Sequence, residues 1–142
     1  MPRFMMFMLP GQISAAEDYM PAADDVSAMM KYNEELAKAG VLLALDGLHP
    51  SAKGAKVKFS GGKPTVTDGP FTEAKELIGG YWIIDVKSKE EAVEWAKRVP
   101  ATADEDFEIE IRQVAEMTDF PDDVQEAAGE LSQAPPEQTT AR

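Results

Sequence analysis

The sequence predicts an α+β fold, in which an antiparallel sheet carries two helices on one face. Hydrophobic patterning gives the order strand, helix, strand, hairpin, strand, helix, strand along the chain. Two strand–helix–strand halves of this kind form the split, ferredoxin-like arrangement, here with the hairpin as an insertion. The length of 142 residues suits one domain, and the absence of cysteine excludes a disulfide framework.

The first half of the fold is predicted from its apolar runs. A strand is predicted from Arg3 to Leu9. After Arg3, both alternating sets of its side chains are apolar, which is typical of a central strand, and the Pro10-Gly11 turn ends it. A helix is predicted from about Pro21 to Ala39, with Gly40 directly after its end. Val41 to Leu45 then forms the second strand. The predicted apolar stripe of the helix has spacings of three and four and consists of Val26, Met29, Met30, Leu36 and Ala37.

A hairpin is predicted between the two halves. Lys56 to Phe59 alternates polar and apolar side chains, Gly61-Gly62 supplies the turn, and Pro64 to Thr67 returns. Because proline cannot donate to a ladder, the returning strand is expected at an edge. A short helical turn is expected from Glu73 to Leu77.

The second half repeats the strand–helix–strand pattern. Gly79-Gly80 opens a strand that runs through Val86. Ser88 and Glu91 have the spacing of a capping box, so a helix is predicted from Lys89 to about Arg98. The last strand is predicted from Phe107 to Ala115, because apolar and charged side chains alternate there.

The charge divides the chain into two parts. The residues from Glu116 to Arg142 include seven acids and one base, which is half of the net charge of −12. We therefore predict a folded domain over residues 1–115 and an acidic C-terminal tail over residues 116–142. A weak helix is expected from Val124 to Leu131, and the composition that follows is typical of disorder.

Several classes of function are disfavoured by composition. A net charge of −12 disfavours nucleic acid and anionic membranes as partners, because an acidic surface repels phosphate groups. No apolar run approaches the roughly 20 residues of a membrane span and no signal peptide is recognisable, so a cytoplasmic protein is expected. His49 is the one histidine, which excludes a multi-histidine metal site within one subunit. In the absence of a glycine-rich phosphate loop, we expect no cofactor.

The loop of Asp68, Gly69, Pro70 and Phe71 is the most distinctive motif. Gly69 permits a backbone turn that other residues resist, Pro70 fixes the chain direction, and Phe71 can anchor the loop in the core. Asp68 then has two interpretations. It could cap the local turn as part of a structural clamp, or it could face a cleft as a general acid or base.

The run from Asp68 to Val86 resembles the signature of the YCII-related family, specifically its DGPF-motif branch. Further resemblance is found in Asn33 to Val41, in Gly47 to Pro50 and in Glu91 to Pro100, so that it covers about residues 3–114. The resemblance implies a ferredoxin-like fold that forms a dimeric α+β barrel. The biochemical function of that family is largely unassigned.

Candidate site residues come partly from the resemblance and partly from the residues themselves. In the wider YCII-related family a histidine–aspartate pair is suspected of catalysis, and Asp68 matches the aspartate by its motif. His49 is the candidate for the histidine, the alternative being a surface or capping residue. Lys75 could reach a cleft and bind an anionic group, whereas charged residues on a short helix are often only solvated. The predicted ligand-binding residues are Tyr32, Phe71, Glu73, Lys75 and Trp82.

Three functional hypotheses follow. The first is a small-molecule binder or enzyme, with a pocket between sheet and helices and Asp68 as the candidate acid or base. The second is a regulatory or partner-binding module, because DGPF-branch proteins resemble domains found beside or fused to alternative sigma factors. The third is a structural dimer without activity. In all three a homodimer is expected, because the second face of the sheet carries apolar side chains that a partner sheet would cover.

Overall fold

A computed structural model describes residues 1–73, 76–102 and 105–132. It confirms the predicted α+β class, with antiparallel sheets and three helices, as expected for a ferredoxin-like fold. The strands and helices in chain order are β1 (Arg3–Leu9), α1 (Ala23–Lys38), β2 (Leu42–Gly47), β3 (Ala55–Ser60), β4 (Lys63–Asp68), β5 (Gly80–Asp85), α2 (Lys89–Lys97), β6 (Glu108–Gln113) and α3 (Asp122–Ser132). Short 3-10 turns lie at Ser51–Lys53 and Met117–Asp119.

The main sheet has four antiparallel strands in the order β2-β5-β1-β6, and β1 is one of the two central strands. Alternate side chains of β1 and β5 point to opposite faces. Phe4 and Met6 of β1 and Ile84 of β5 are buried in the core beneath the helices. Met5 and Ile83, which are direct cross-strand neighbours, belong to the other set and are only half-buried. This second face is called the open face below.

The two helices on the sheet begin differently. At α1, Ala22 gives no side-chain cap, but Asp24 and Asp25 in the first turn interact favourably with the helix dipole. At α2, the Ser88 hydroxyl accepts a hydrogen bond from Glu91 N at 3.1 Å, as its spacing predicted. The Glu91 carboxylate accepts from Lys87 N at 3.3 Å, one residue before the position that a capping box would use.

The buried stripe of α1 is rotated from the predicted one. Tyr32 and Leu36 are the buried residues of this helix, at the i and i+4 positions of one face. Val26 and Met30, which the pattern assigned to the core, are 41% and 62% exposed. Both lie on the wall of the cavity described below.

The predicted hairpin is confirmed as a separate two-stranded sheet of β3 and β4. Gly61 and Gly62 have φ angles of 57° and 79°, the left-handed conformation that a tight two-residue hairpin turn requires. All residues of both strands are exposed. The expected helical turn over Glu73 to Leu77 lies partly outside the described residues, at positions 74 and 75.

The chain beyond the last strand begins with an ionic contact. The Arg3 guanidinium donates to both Glu116 carboxylate oxygens, at 2.7 and 2.8 Å, and its hydrogen bonds lower the pKa of Glu116. The helix α3 follows and contains the expected weak helix, whereas residues 133–142 lie outside the described part. No described helix has the length and apolar character needed to span a membrane.

Candidate functional site

A cavity of about 690 Å³ opens at one end of the main sheet. The antiparallel order brings the ends of β1 and β2 together with the beginnings of β5 and β6 at this end. Met8, Leu48, Gly79 and Phe107 line the cavity from these four positions. The connections of both strand–helix–strand halves therefore build one site.

Backbone hydrogen bonds fix the floor of the cavity. The amide of Gly79 donates to the carbonyl of Met8 at 2.8 Å, and the amide of Leu48 donates to the carbonyl of Gly79 at 2.9 Å. These bonds extend the ladder beyond the regular strands, so the floor is held by the sheet itself.

The opposite wall comes from the first half of α1 and the loop before it. Val26, Met29 and Met30 face the cavity from α1, and Ala15 and Tyr19 face it from the loop. Methionine side chains are flexible and polarisable, so they can adapt to ligands of different shape. Most of the cavity lining is apolar.

Glu105 closes one side of the cavity by binding the loop after β1. Its carboxylate accepts hydrogen bonds from Ile13 N at 2.8 Å, from Ser14 N at 3.0 Å and from the Ser14 hydroxyl. Burial raises the pKa of Glu105, but the hydrogen bonds from Ser14, Ile13 and Gly11 outweigh that effect and the pKa falls below its ordinary value. The carboxylate is therefore ionised at neutral pH and occupied by protein donors, which makes it a structural group.

The loop of the Asp68–Phe71 motif packs on the short turn after β2. The amide of Gly69 donates to Gly54 O at 2.9 Å, and the amide of Phe71 donates to the Ser51 hydroxyl at 2.9 Å. A Cβ atom at position 69 would lie 1.7 Å from the Ser51 carbonyl oxygen, so this approach requires glycine. The Gly69-Pro70 peptide is cis. The close approach of Gly69 to Ser51 fits the structural interpretation of the motif, and Phe71 lies on the cavity wall.

A charged pair lies beside Phe71 at the cavity. Lys56 Nζ of β3 is 2.9 Å from a Glu76 carboxylate oxygen and 4.4 Å from the centre of the Phe71 ring. Both charged residues line the cavity. Sequence reasoning missed the pair, because the alternation of β3 indicated only that Lys56 would be exposed, and Glu76 was expected to be solvated on its short helical turn.

The structure places the two candidate catalytic residues differently. His49 lies on the cavity wall, between Leu48 and Pro50. Asp68 is exposed at the end of β4, opposite Ala55, and is not among the residues that line the cavity. Of the two candidate catalytic residues, His49 lines the cavity and Asp68 does not.

Tyr32 and Trp82 lie in the core instead of on the cavity wall. Their rings meet edge to face, with centroids 5.8 Å apart. The Tyr32 hydroxyl donates to Trp95 O at 2.7 Å, and Trp82 Nε1 donates to the Asn33 side-chain oxygen at 2.8 Å. Burial raises the pKa of Tyr32 to about 12. Both aromatic residues thus have satisfied polar groups and act in packing.

Of the remaining predicted ligand residues, the structure describes Glu73. Glu73 borders a second depression of about 430 Å³, which shares Phe71, Ala15 and Ala16 with the main cavity. Lys75 lies outside the described residues. Within residues 1–73, 76–102 and 105–132, no group of three histidine, cysteine or acidic side chains is arranged to hold a metal ion.

Comparison with known proteins gives a family match that covers most of the chain. Residues 4–118 match the model of the YCII-related domain. An uncharacterized protein of Rhizobium meliloti (strain 1021) is 32% identical over 91 residues, which are 64% of this chain and 71% of that protein. The match to the family model ends at residue 118, shortly before α3 begins.

Proposed function

The chain belongs to the YCII-related domain family, and from that premise we propose that it binds a small, largely apolar molecule in the cavity at the end of the main sheet. The observation that carries the proposal is the cavity itself. Its volume of about 690 Å³ falls within the roughly 300–1,000 Å³ of typical ligand sites, and few polar groups interrupt its apolar lining.

The polar groups at the cavity indicate how a ligand would be oriented. Glu105 is occupied by the loop after β1, and Lys56 is paired with Glu76. The His49 side chain is exposed and has no hydrogen bond or ion pair to a described residue, so its imidazole can donate to or accept from a ligand. We infer that apolar contacts supply most of the affinity and that His49 selects the ligand orientation.

Proton transfer by an Asp68–His49 pair stays a prediction. Both side chains are exposed, but His49 lines the cavity and Asp68 does not, which favours a role of Asp68 in the loop that carries Phe71. If Asp68 acts on a ligand, Asp68→Asn should change ligand binding or turnover as strongly as His49→Ala does. The structural interpretation expects an effect of Asp68→Asn on stability alone.

The location of the binding site can be tested with the neutral fluorophore N-phenyl-naphthylamine. Amide chemical shifts of isotope-labelled protein are recorded while the probe is added. We expect the largest changes at Ala15, Met29 and Gly79, which line the cavity. Changes confined to Met5 and Ile83 would place the probe on the open face and contradict the proposal.

We also propose that the chain forms a homodimer through the open face. Met5 lies opposite Ile83 and Phe7 opposite Tyr81 in the centre of this face, and they would be covered by a partner sheet. Ile83→Glu should weaken the dimer at least tenfold in sedimentation equilibrium, whereas Lys31→Glu on the exposed surface of α1 should not. A monomeric wild-type protein would refute the dimer but leave the cavity proposal intact.

A further inference from the structure

Asp25 is a charged residue of the cavity wall that has no partner in the described part of the chain. It is half-buried, and its side chain forms no hydrogen bond or ion pair with a described residue. The other described carboxylates of the wall are occupied, since Glu105 accepts hydrogen bonds from Ser14 and Glu76 is paired with Lys56. Asp25 is therefore the carboxylate of the described lining that is free to bind a ligand.

The described lining of the cavity is negatively charged. It includes the three carboxylates of Asp25, Glu76 and Glu105 and the one ammonium group of Lys56, so its net charge is −2 while His49 is neutral. The whole chain has a net charge of −12, so the surrounding field has the same sign. An anionic ligand would enter the cavity against this charge, whereas a cationic ligand would be attracted by it.

The beginning of α1 does not reverse this preference. Asp25 lies in the first turn of the helix, at the end where the helix dipole is positive and by itself favours an anion. Asp24 lies in the same turn. The two negative side chains outweigh the dipole, which is equivalent to roughly half a positive charge. This end of α1 therefore has no positive charge left for an anionic ligand.

Asp24 and Asp25 lie on different sides of α1. Met29, one turn after Asp25, lines the cavity, as do Val26 and Met30. Residues four positions apart share a helix face, so Asp25 belongs to the face that forms the cavity wall. Asp24 is exposed and is not part of the cavity lining. Both carboxylates interact with the helix dipole, but of the two only Asp25 borders the cavity.

An apolar ligand would change the surroundings of the Asp25 carboxylate. Because the residue is half-buried, the open cavity still leaves it in contact with water. A neutral ligand that covers it removes water without supplying a partner, which costs free energy for a charged group. A cationic group on the ligand supplies an ion pair instead, and this pair is strengthened by the low dielectric constant of the apolar wall.

We propose that the cavity binds an organic cation, in which an ammonium group is attached to an apolar body, and that Asp25 binds the ammonium group. This inference rests on the function proposed above and adds the charge of the ligand to it. Apolar contacts still supply most of the affinity, and Asp25 distinguishes a cation from a neutral molecule or an anion of the same shape.

Three probes with the same ring system separate the effect of charge from that of shape. Naphthylmethylamine is a cation at neutral pH, naphthylmethanol is neutral and naphthoate is an anion. Each competes with N-phenyl-naphthylamine for the protein at about 0.15 M salt, where exposed charges more than roughly 8 Å apart are largely screened. We expect the dissociation constant of the amine to be at least fivefold lower than that of the alcohol, and naphthoate to bind most weakly.

The outcomes distinguish this inference from the proposed function. If the alcohol or naphthoate bound as tightly as the amine, the inference would be overturned, and the cavity would still be a site for apolar molecules. If neither N-phenyl-naphthylamine nor any of the three probes bound, the proposed function would fail and this inference with it.

A matched pair of variants tests the role of Asp25. Asp25→Asn should raise the dissociation constant of naphthylmethylamine at least fivefold and leave that of naphthylmethanol within twofold, because the charge is removed while the shape is kept. Asp24→Asn removes the same charge from the same helical turn and should leave both constants within twofold. Equal effects of the two variants on the amine, or no effect of Asp25→Asn, would contradict binding of the ammonium group by Asp25.

Discussion

Ser51 holds Phe71 at the cavity by accepting a hydrogen bond from its amide at 2.9 Å. The same residue's carbonyl occupies the space that a side chain at position 69 would need. The turn after β2 and the loop after β4 are thereby packed as one unit. This unit presents His49, Pro50 and Phe71 to the cavity, which gives the glycine of the motif its physical reason.

Substitution of Gly69 by alanine should destabilise the protein. The new Cβ would lie 1.7 Å from the Ser51 carbonyl oxygen, so the backbone must shift. We expect a loss of about 1–3 kcal/mol of unfolding free energy, measured by urea denaturation. Gly54→Ala is a matched control, because its Cβ would lie 3.5 Å from the same oxygen, an ordinary contact. Equal losses in the two variants would contradict this role of Gly69.

Glu105 should contribute to stability in a pH-dependent way. Its pKa is lowered in the folded protein, so the unfolded chain binds a proton more readily. The contribution is therefore complete above the ordinary value of 4.5 and is lost as the pH falls through the lower folded pKa. Glu105→Gln should flatten this acid-side decline in thermal unfolding. An unchanged pH profile would show that Glu105 is not held by Ser14 and Ile13.

Tyr32 should make the protein sensitive to high pH. Its pKa is raised from 10.0 to about 12 in the folded state, so its contribution to stability is complete below pH 10.0 and is lost as the pH rises through about 12. Tyr32→Phe should remove this share of the alkaline decline. At neutral pH it should cost about 1 kcal/mol, because Trp95 O loses its donor. Identical alkaline profiles for variant and wild type would contradict the burial of the hydroxyl.

The sequence predicted the sheet better than the cavity. Alternation placed Trp82 and Ile84 on one face and Ile83 on the other, because a strand has a fixed period of two. The Ser88 cap was equally local. On α1, apolar residues at spacings of three and four are compatible with more than one orientation of the helix about its axis. Tyr32 was therefore assigned to a ligand site, although it packs in the core. Val26 and Met30 were assigned to the core while they line the cavity.

The cavity depends on contacts between distant parts of the chain. Glu105 binds Ser14 from 91 residues away, and Lys56 binds Glu76 from 20 residues away. No local pattern records such pairs, because each partner taken alone is an ordinary exposed charge. The Asp68–Phe71 motif reaches the cavity through Phe71, which lies on its wall, and not through Asp68. Its glycine is explained by the Ser51 contact.

The most direct test of the central claim is to fill the cavity with a larger side chain and to measure the affinity of the protein for N-phenyl-naphthylamine. Ala15 lines the cavity, whereas Ala37 is exposed on α1 and does not. In fluorescence titrations, Ala15→Trp should raise the dissociation constant of the probe at least tenfold, about 1.4 kcal/mol, and Ala37→Trp should leave it within twofold of the wild-type value. Equal affinities of the Ala15→Trp variant and the wild-type protein would contradict binding in this cavity.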